Sequence, residues 1–177
     1  MNKIKILLLA VFAFQLQAAT NDSSNVKVSW QNPEKFSDIR PSNGSKKAYQ
    51  KQVIESFDKI LGGLGEKLPA GYRLELTITD LDLAGDVNPL YRMGNNDVRV
   101  VKDIYFPKMQ LNYVLLDPSN QVVDKANDVK IKDMGFMMAS GSTIHSRQFS
   151  YETEMLEKWF KKDILPKTAV ASEHTNQ

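Results

Sequence analysis

The feature that most constrains the fold is a change of phase inside one apolar alternation. Leu74, Leu76 and Ile78 recur every second residue, with Arg73, Glu75, Thr77 and Thr79 between them. A period of two is the mark of a half-buried β-strand. The next apolar residues, Leu81 and Leu83, have the opposite parity. A regular strand cannot move its side chains to the other face, so one residue must be looped out. The pattern predicts a β-bulge near Thr79-Asp80. Without it, Asp80 and Asp82 would enter the apolar layer, where an unpaired carboxylate is strongly disfavoured.

The remaining elements assemble around that strand. Val26, Val28 and Trp30 alternate with Lys27 and Ser29 and predict a first strand, ended by Asn32-Pro33. Phe36 and Ile39 read as anchors of the loop that follows. From about Lys46 to Leu64, Val53, Phe57, Ile60, Leu61 and Leu64 fall at helical spacing, with Gly62, Gly63 and Gly65 available as caps. Residues 85–97 form a long connection, and residues 98–101 a short strand. Met109, Leu111, Tyr113 and Leu115 alternate strongly. Asp117-Pro118-Ser119-Asn120 is a tight turn, and residues 122–133 return as the hairpin partner. Residues 134–149 read as an irregular methionine-rich loop. Ser150 then caps a last helix with Glu152 and Glu154 in its first turn. Its buried stripe is Met155, Leu156, Trp159, Phe160 and Leu165, and Pro166 stops it. Strand, helix, strand, hairpin, helix predicts an α+β two-layer sandwich. It has one mixed sheet of four or five strands and both helices on one face.

The amino terminus has its own grammar. Lys3 and Lys5 precede an apolar run, residues 6–14, then a polar break and Ala18-Ala19. This is the layout of a cleaved secretory leader, and the run is too short to span a bilayer. The expected division is a leader at 1–19, a flexible lead-in at 20–25, one globular domain at 26–165 and a disordered tail at 166–177. The expected location is the periplasm of a Gram-negative bacterium, with no membrane span after cleavage. Zero cysteines exclude a lipobox, thiol catalysis and thiolate metal sites. Loss of Lys3 and Lys5 would leave 21 basic and 21 acidic residues, so nothing suggests a nucleic-acid surface.

Several segments resemble a known family. Val28-Ser29-Trp30-Gln31-Asn32-Pro33 through Ile39, Gly71-Tyr72-Arg73-Leu74, and Asp80-Leu81-Asp82-Leu83-Ala84-Gly85 carry the likeness. Lys132-Asp133-Met134-Gly135-Phe136 and the last helix, Tyr151 to Phe160, extend it. Together they are similar to the exported proteobacterial family catalogued as domain of unknown function 3016. The resemblance implies an exported protein and brings no catalytic residue with it.

Four constellations could carry function. Asp80, Asp82 and Asp86 make the densest acidic cluster, but a calcium loop would need oxygen ligands where Ala84 and Tyr91 stand. Its ordinary reading is a strand end whose aspartates cap backbone N–H groups. Met134, Met137 and Met138, with His145, offer soft ligands for Cu(I); they read more simply as packing or as an adaptable contact surface. Ser142, Ser146 and His145 lack a nucleophile elbow. Tyr91, Arg92 and Arg99 could read a carboxylate or phosphate, or could be solvated. No cofactor is expected. The sequence supports a non-enzymatic binding module for a periplasmic protein or envelope component, of open oligomeric state. The alternative is a small metal-dependent or Ser/His hydrolase built on the acidic strand end.

Overall fold

The computed structural model describes residues 25–88, 90, 93, 97–138 and 148–174, with side chains up to 170. The expected leader lies outside these residues, as do Tyr91, Arg92, Ser142, His145 and Ser146.

A mixed sheet of four strands has the order β1-β2-β5-β6. These are Val26–Trp30, Arg73–Asp82, Lys108–Leu116 and Val122–Lys132. β1 runs parallel to β2, joined through α1, Lys46–Gly65; β2, β5 and β6 are antiparallel neighbours. A two-stranded ribbon, β3 Asp86–Val87 with β4 Arg99–Val100, stands beyond the end of β2. The predicted phase change is present. Register on β5 shifts between Ile78 and Asp80, leaving Thr79 as the extra residue. Leu81 then rejoins Leu74, Leu76 and Ile78 in the core, while Asp80 and Asp82 pair with Gln110 and Lys108 on the other face.

The core lies between that sheet face and two helical segments. Val53, Phe57, Leu61 and Leu64 of α1 and Met155, Leu156 and Trp159 of α2, Ser150–Trp159, meet Leu111, Tyr113 and Leu115. The opposite face is polar along its rows, with Lys27, Glu75, Val114 and Lys125 in register. Ser45 caps α1 by accepting from Ala48 N. Gly65 ends α1 for a reason other than capping. A Cβ there would come within 2.5 Å of Val26 Cγ2, so the glycine permits close packing of α1 on β1. The hairpin turn is held by Asp117, whose Oδ1 accepts from Ser119 N at 2.8 Å and Gln121 N at 2.9 Å.

Three expectations about the C-terminal third need correction. Phe149, in the left-handed region with φ 60°, takes the N-cap position in place of Ser150. Pro166 does not stop the last helix, and residues 166–174 are helical, where a disordered tail was expected. A wide turn, Phe160–Ile164, precedes the proline, and Leu165 N donates five residues back to Phe160 O. Proline lacks an N–H and its ring clashes with the carbonyl four residues earlier; a widened turn relieves both problems. α3, Leu165–His174, is then tied down by Tyr72 Oη donating to the buried Thr168 O at 3.1 Å. Third, Met134, Met137 and Met138 do not fill gaps between sheet and helix. They are exposed, and Phe136 beside them is the residue that enters the interior.

Candidate functional site

The chain gathers its buried charge at the end of β2. After β1 the backbone loops out and returns, with Asp38 N donating to Leu81 O and Leu83 N to Asp38 O, both at 3.2 Å. Phe36 and Ile39 are buried on either side and fix this return. Asp38 is thereby carried into the structure, 7 % exposed. The β3–β4 ribbon brings Arg99 over it. Arg99 Nη1 donates to Asp38 Oδ2 at 2.9 Å and Gly85 O at 3.0 Å, and Nη2 to Arg40 O at 3.0 Å. Arg40 in turn reaches Asp38 Oδ1 and Asp86 Oδ1. A guanidinium with five donors in a fixed fork suits such a set of converging acceptors.

Glu152, on the first turn of α2, closes the cluster from the helix side. It is 3 % exposed, and its Oε1 accepts from Ala84 N at 2.7 Å. Burial pushes its carboxyl above the ordinary range, against the opposing Ala84 hydrogen bond and the Arg99 charge. Burial likewise raises the Tyr49 hydroxyl, with Arg99 pulling the other way. Tyr49, Arg99 and Glu152 line a cavity of about 190 Å³. Ligand pockets run to roughly 300–1,000 Å³, so this one is small. Arg99 and Glu152 point their polar atoms at their own chain, and what the cluster does is clamp α2, the β2 end and the ribbon together.

Two consequences can be measured. Glu152→Gln keeps an oxygen acceptor for Ala84 N and removes the charge. Glu152 has a raised folded pKa, so the native state binds the extra proton and is favoured below the ordinary glutamate value. That contribution is lost as pH rises through the folded pKa. Urea midpoints should therefore fall over this window more steeply for the wild type than for the Gln variant. Parallel curves would show that Glu152 does not titrate with folding. Gly85 has φ +84°, and a Cβ there would lie 2.8 Å from Val100 O. Gly85→Ala should cost about 1–3 kcal/mol from left-handed strain alone, plus the contact. An unchanged urea midpoint would mean that β4 does not pack against Gly85.

The sequence-predicted residues are distributed as follows. Asp80 accepts from Ser37 N at 2.7 Å and Ser37 Oγ at 2.6 Å, capping the returning loop. Asp82 pairs with Lys108 at 2.8 Å, and Asp86 with Arg40 at 3.5 Å. The acidic trio therefore does not converge. Arg99 reads a carboxylate, that of its own chain's Asp38. Among the described residues, no group of three or more His, Cys, Asp or Glu side chains is placed to hold a metal ion. Sequence reasoning missed Asp38, Arg40, Tyr49 and Glu152. Glu152 carried a signal: with Met155, Leu156 and Trp159 it stands at i, i+3, i+4 and i+7, on the buried stripe.

A larger cleft, about 530 Å³, lies between the hairpin and α3 and is lined by Val122, Asp124, Lys167 and Val170 among others. Its polar groups are also mutually engaged. Lys167 Nζ bonds the Asp124 carboxylate and, at 2.5 Å, Tyr113 Oη, which donates to Asp124 Oδ2 at 2.6 Å. Burial would raise the Asp124 carboxyl, but the bonds from Lys167 and Tyr113 outweigh it and hold the group low. No helix among the described residues is long and apolar enough to cross a membrane.

Comparison with known proteins adds a family and no activity. A family model described as "Protein of unknown function (DUF3016)" matches residues 24–162. That span takes in the clamp, both strands of the hairpin and α2, and ends before α3. No curated protein and no solved structure matches.

Proposed function

The chain belongs to the DUF3016 family of proteins of unknown function, and from that premise we propose that it is an exported, periplasmic, non-enzymatic module. In this reading, residues 1–19 are removed, one domain folds behind them, and a surface on that domain contacts a protein of the envelope. The observation that carries the reading is the exposure of Met134, Met137 and Met138, at 63 %, 49 % and 89 %. Unbranched thioether side chains adapt to partners of differing shape, and their clustering at a surface marks contact. The segment is held at Asp133 and at Phe136, and Met138 N donates to Gly135 O at 2.9 Å. Asp133 is bonded to Lys158 at 2.8 Å, and Phe136 is buried edge-on against Tyr151, ring centroids 4.9 Å apart. A fixed backbone presenting free apolar side chains needs little ordering on binding.

The test is a charge placed on that surface. Met137→Asp/Met138→Asp should keep the thermal unfolding midpoint of the wild type, because both side chains are outside the core. It should lose the adducts that formaldehyde forms with the wild-type protein in intact cells. Retention of those adducts would remove the methionine surface from the reading.

A further inference from the structure

We propose that Met134, Met137 and Met138 form a site of reversible sulfoxidation by two-electron oxidants of the hypohalous acid class. The chain has seven methionines and no cysteine, so no thiol is present to react first. The methionines divide sharply by position. Met109 and Met155 are 2 % and 1 % exposed and belong to the core. Met134, Met137 and Met138 are open to solvent within five residues of chain, while Met93 is exposed away from them in sequence.

The step is balanced. A thioether sulfur lone pair attacks the oxygen of hypochlorous acid and the O–Cl bond breaks. The sulfur keeps the oxygen as a sulfoxide, and chloride and a proton leave. Sulfur is oxidised by two electrons and chlorine is reduced by two. The product is polar and chiral where the reactant was apolar and adaptable. Because the three side chains lie outside the core, the fold survives the change. Only the surface changes character, and a thiol-dependent methionine sulfoxide reductase can restore it: the sulfoxide takes up two electrons and two protons, its oxygen leaves as water, and two thiols are oxidised to a disulfide. That this would release a partner rests on the function proposed above; the chemistry and the change of surface do not.

The experiment doses the purified, leaderless protein with hypochlorous acid in steps. Oxygen uptake is mapped by peptide mass, the fold is followed by circular dichroism, and surface apolarity is read from retention on a phenyl column. The expected result is one oxygen gained at each of residues 134, 137 and 138 before any at Met109 or Met155, with an unchanged spectrum. Retention should fall, and reductase treatment should restore it. Met134→Leu/Met137→Leu/Met138→Leu should abolish the fall in retention, whereas Met93→Leu should leave it in place. Simultaneous oxidation of Met109 and Met155, a collapsed spectrum, or unchanged retention would overturn the proposal. Failure of the partner reading is a separate outcome: the reduced protein would form no adduct in cells, while the oxidation map stayed as described.

Discussion

Arg99→Ala is expected to destabilise the protein by about 3–5 kcal/mol, the range for leaving a buried charge without its partner. Asp38 would be left buried without the guanidinium, and the carbonyls of Gly85 and Arg40 would lose their donors. Arg40 cannot take over, because its side chain is half exposed and reaches Asp38 only through Nε at 3.4 Å. Arg99→Lys keeps the charge and loses the fork, so it should fall between the two. Urea unfolding followed by circular dichroism gives the values. A loss below about 1 kcal/mol for Arg99→Ala would place the pair with exposed ion pairs, which contribute little.

Trp159→Ala should have a comparable effect, about 3–5 kcal/mol, through a different cause. The ring is carried by α2 and buried against the sheet, edge-on to Tyr113 at 6.1 Å and to Phe160 at 6.4 Å. Removing it leaves a cavity that the rigid sheet cannot close, since Tyr113 is itself fixed by Asp124 and Lys167. Arg99 bonds Asp38, Gly85 and Arg40, whereas Trp159 packs on Tyr113 and Phe160, so with no partner in common their effects should add in the double variant. A sum well short of additive would mean that the clamp and the Trp159 cluster unfold as one coupled unit.

Some of this architecture was legible in the sequence and some was not, for physical reasons. The bulge at Thr79 could be read because strand periodicity is rigid: a change of parity has few structural solutions. The hairpin was legible because Asp117 and Pro118 define their turn locally. The last helix was legible as an amphipathic stripe, but its end was not. Pro166 is a helix breaker by local rules, and the wide turn that accommodates it is paid for by packing of Ile164 and Thr168, which no local rule contains. The clamp was opaque for a similar reason. Asp38, Arg99 and Glu152 lie on three separate segments, and only the returning loop and the ribbon bring them together. Glu152 reads as an acidic residue suited to the first turn of a helix, although its spacing places it on the buried stripe. The methionines, apolar by type, read as packing or as a contact surface, and their exposure removes the first of these. Among residues 134–138 Phe136 fills that role, and the thioethers lie outside.

The proposed function puts contact with a partner at the methionine segment and leaves the buried charges to the fold. The most direct measurement places a photo-reactive amino acid at position 138 or, as a control, at Glu75 on the opposite sheet face, in cells that make the protein. The expected result is a discrete cross-linked band from position 138 that disappears when Met137 is changed to Asp, and no band from position 75. Equal cross-linking from both positions, or a band from position 75 alone, would contradict it.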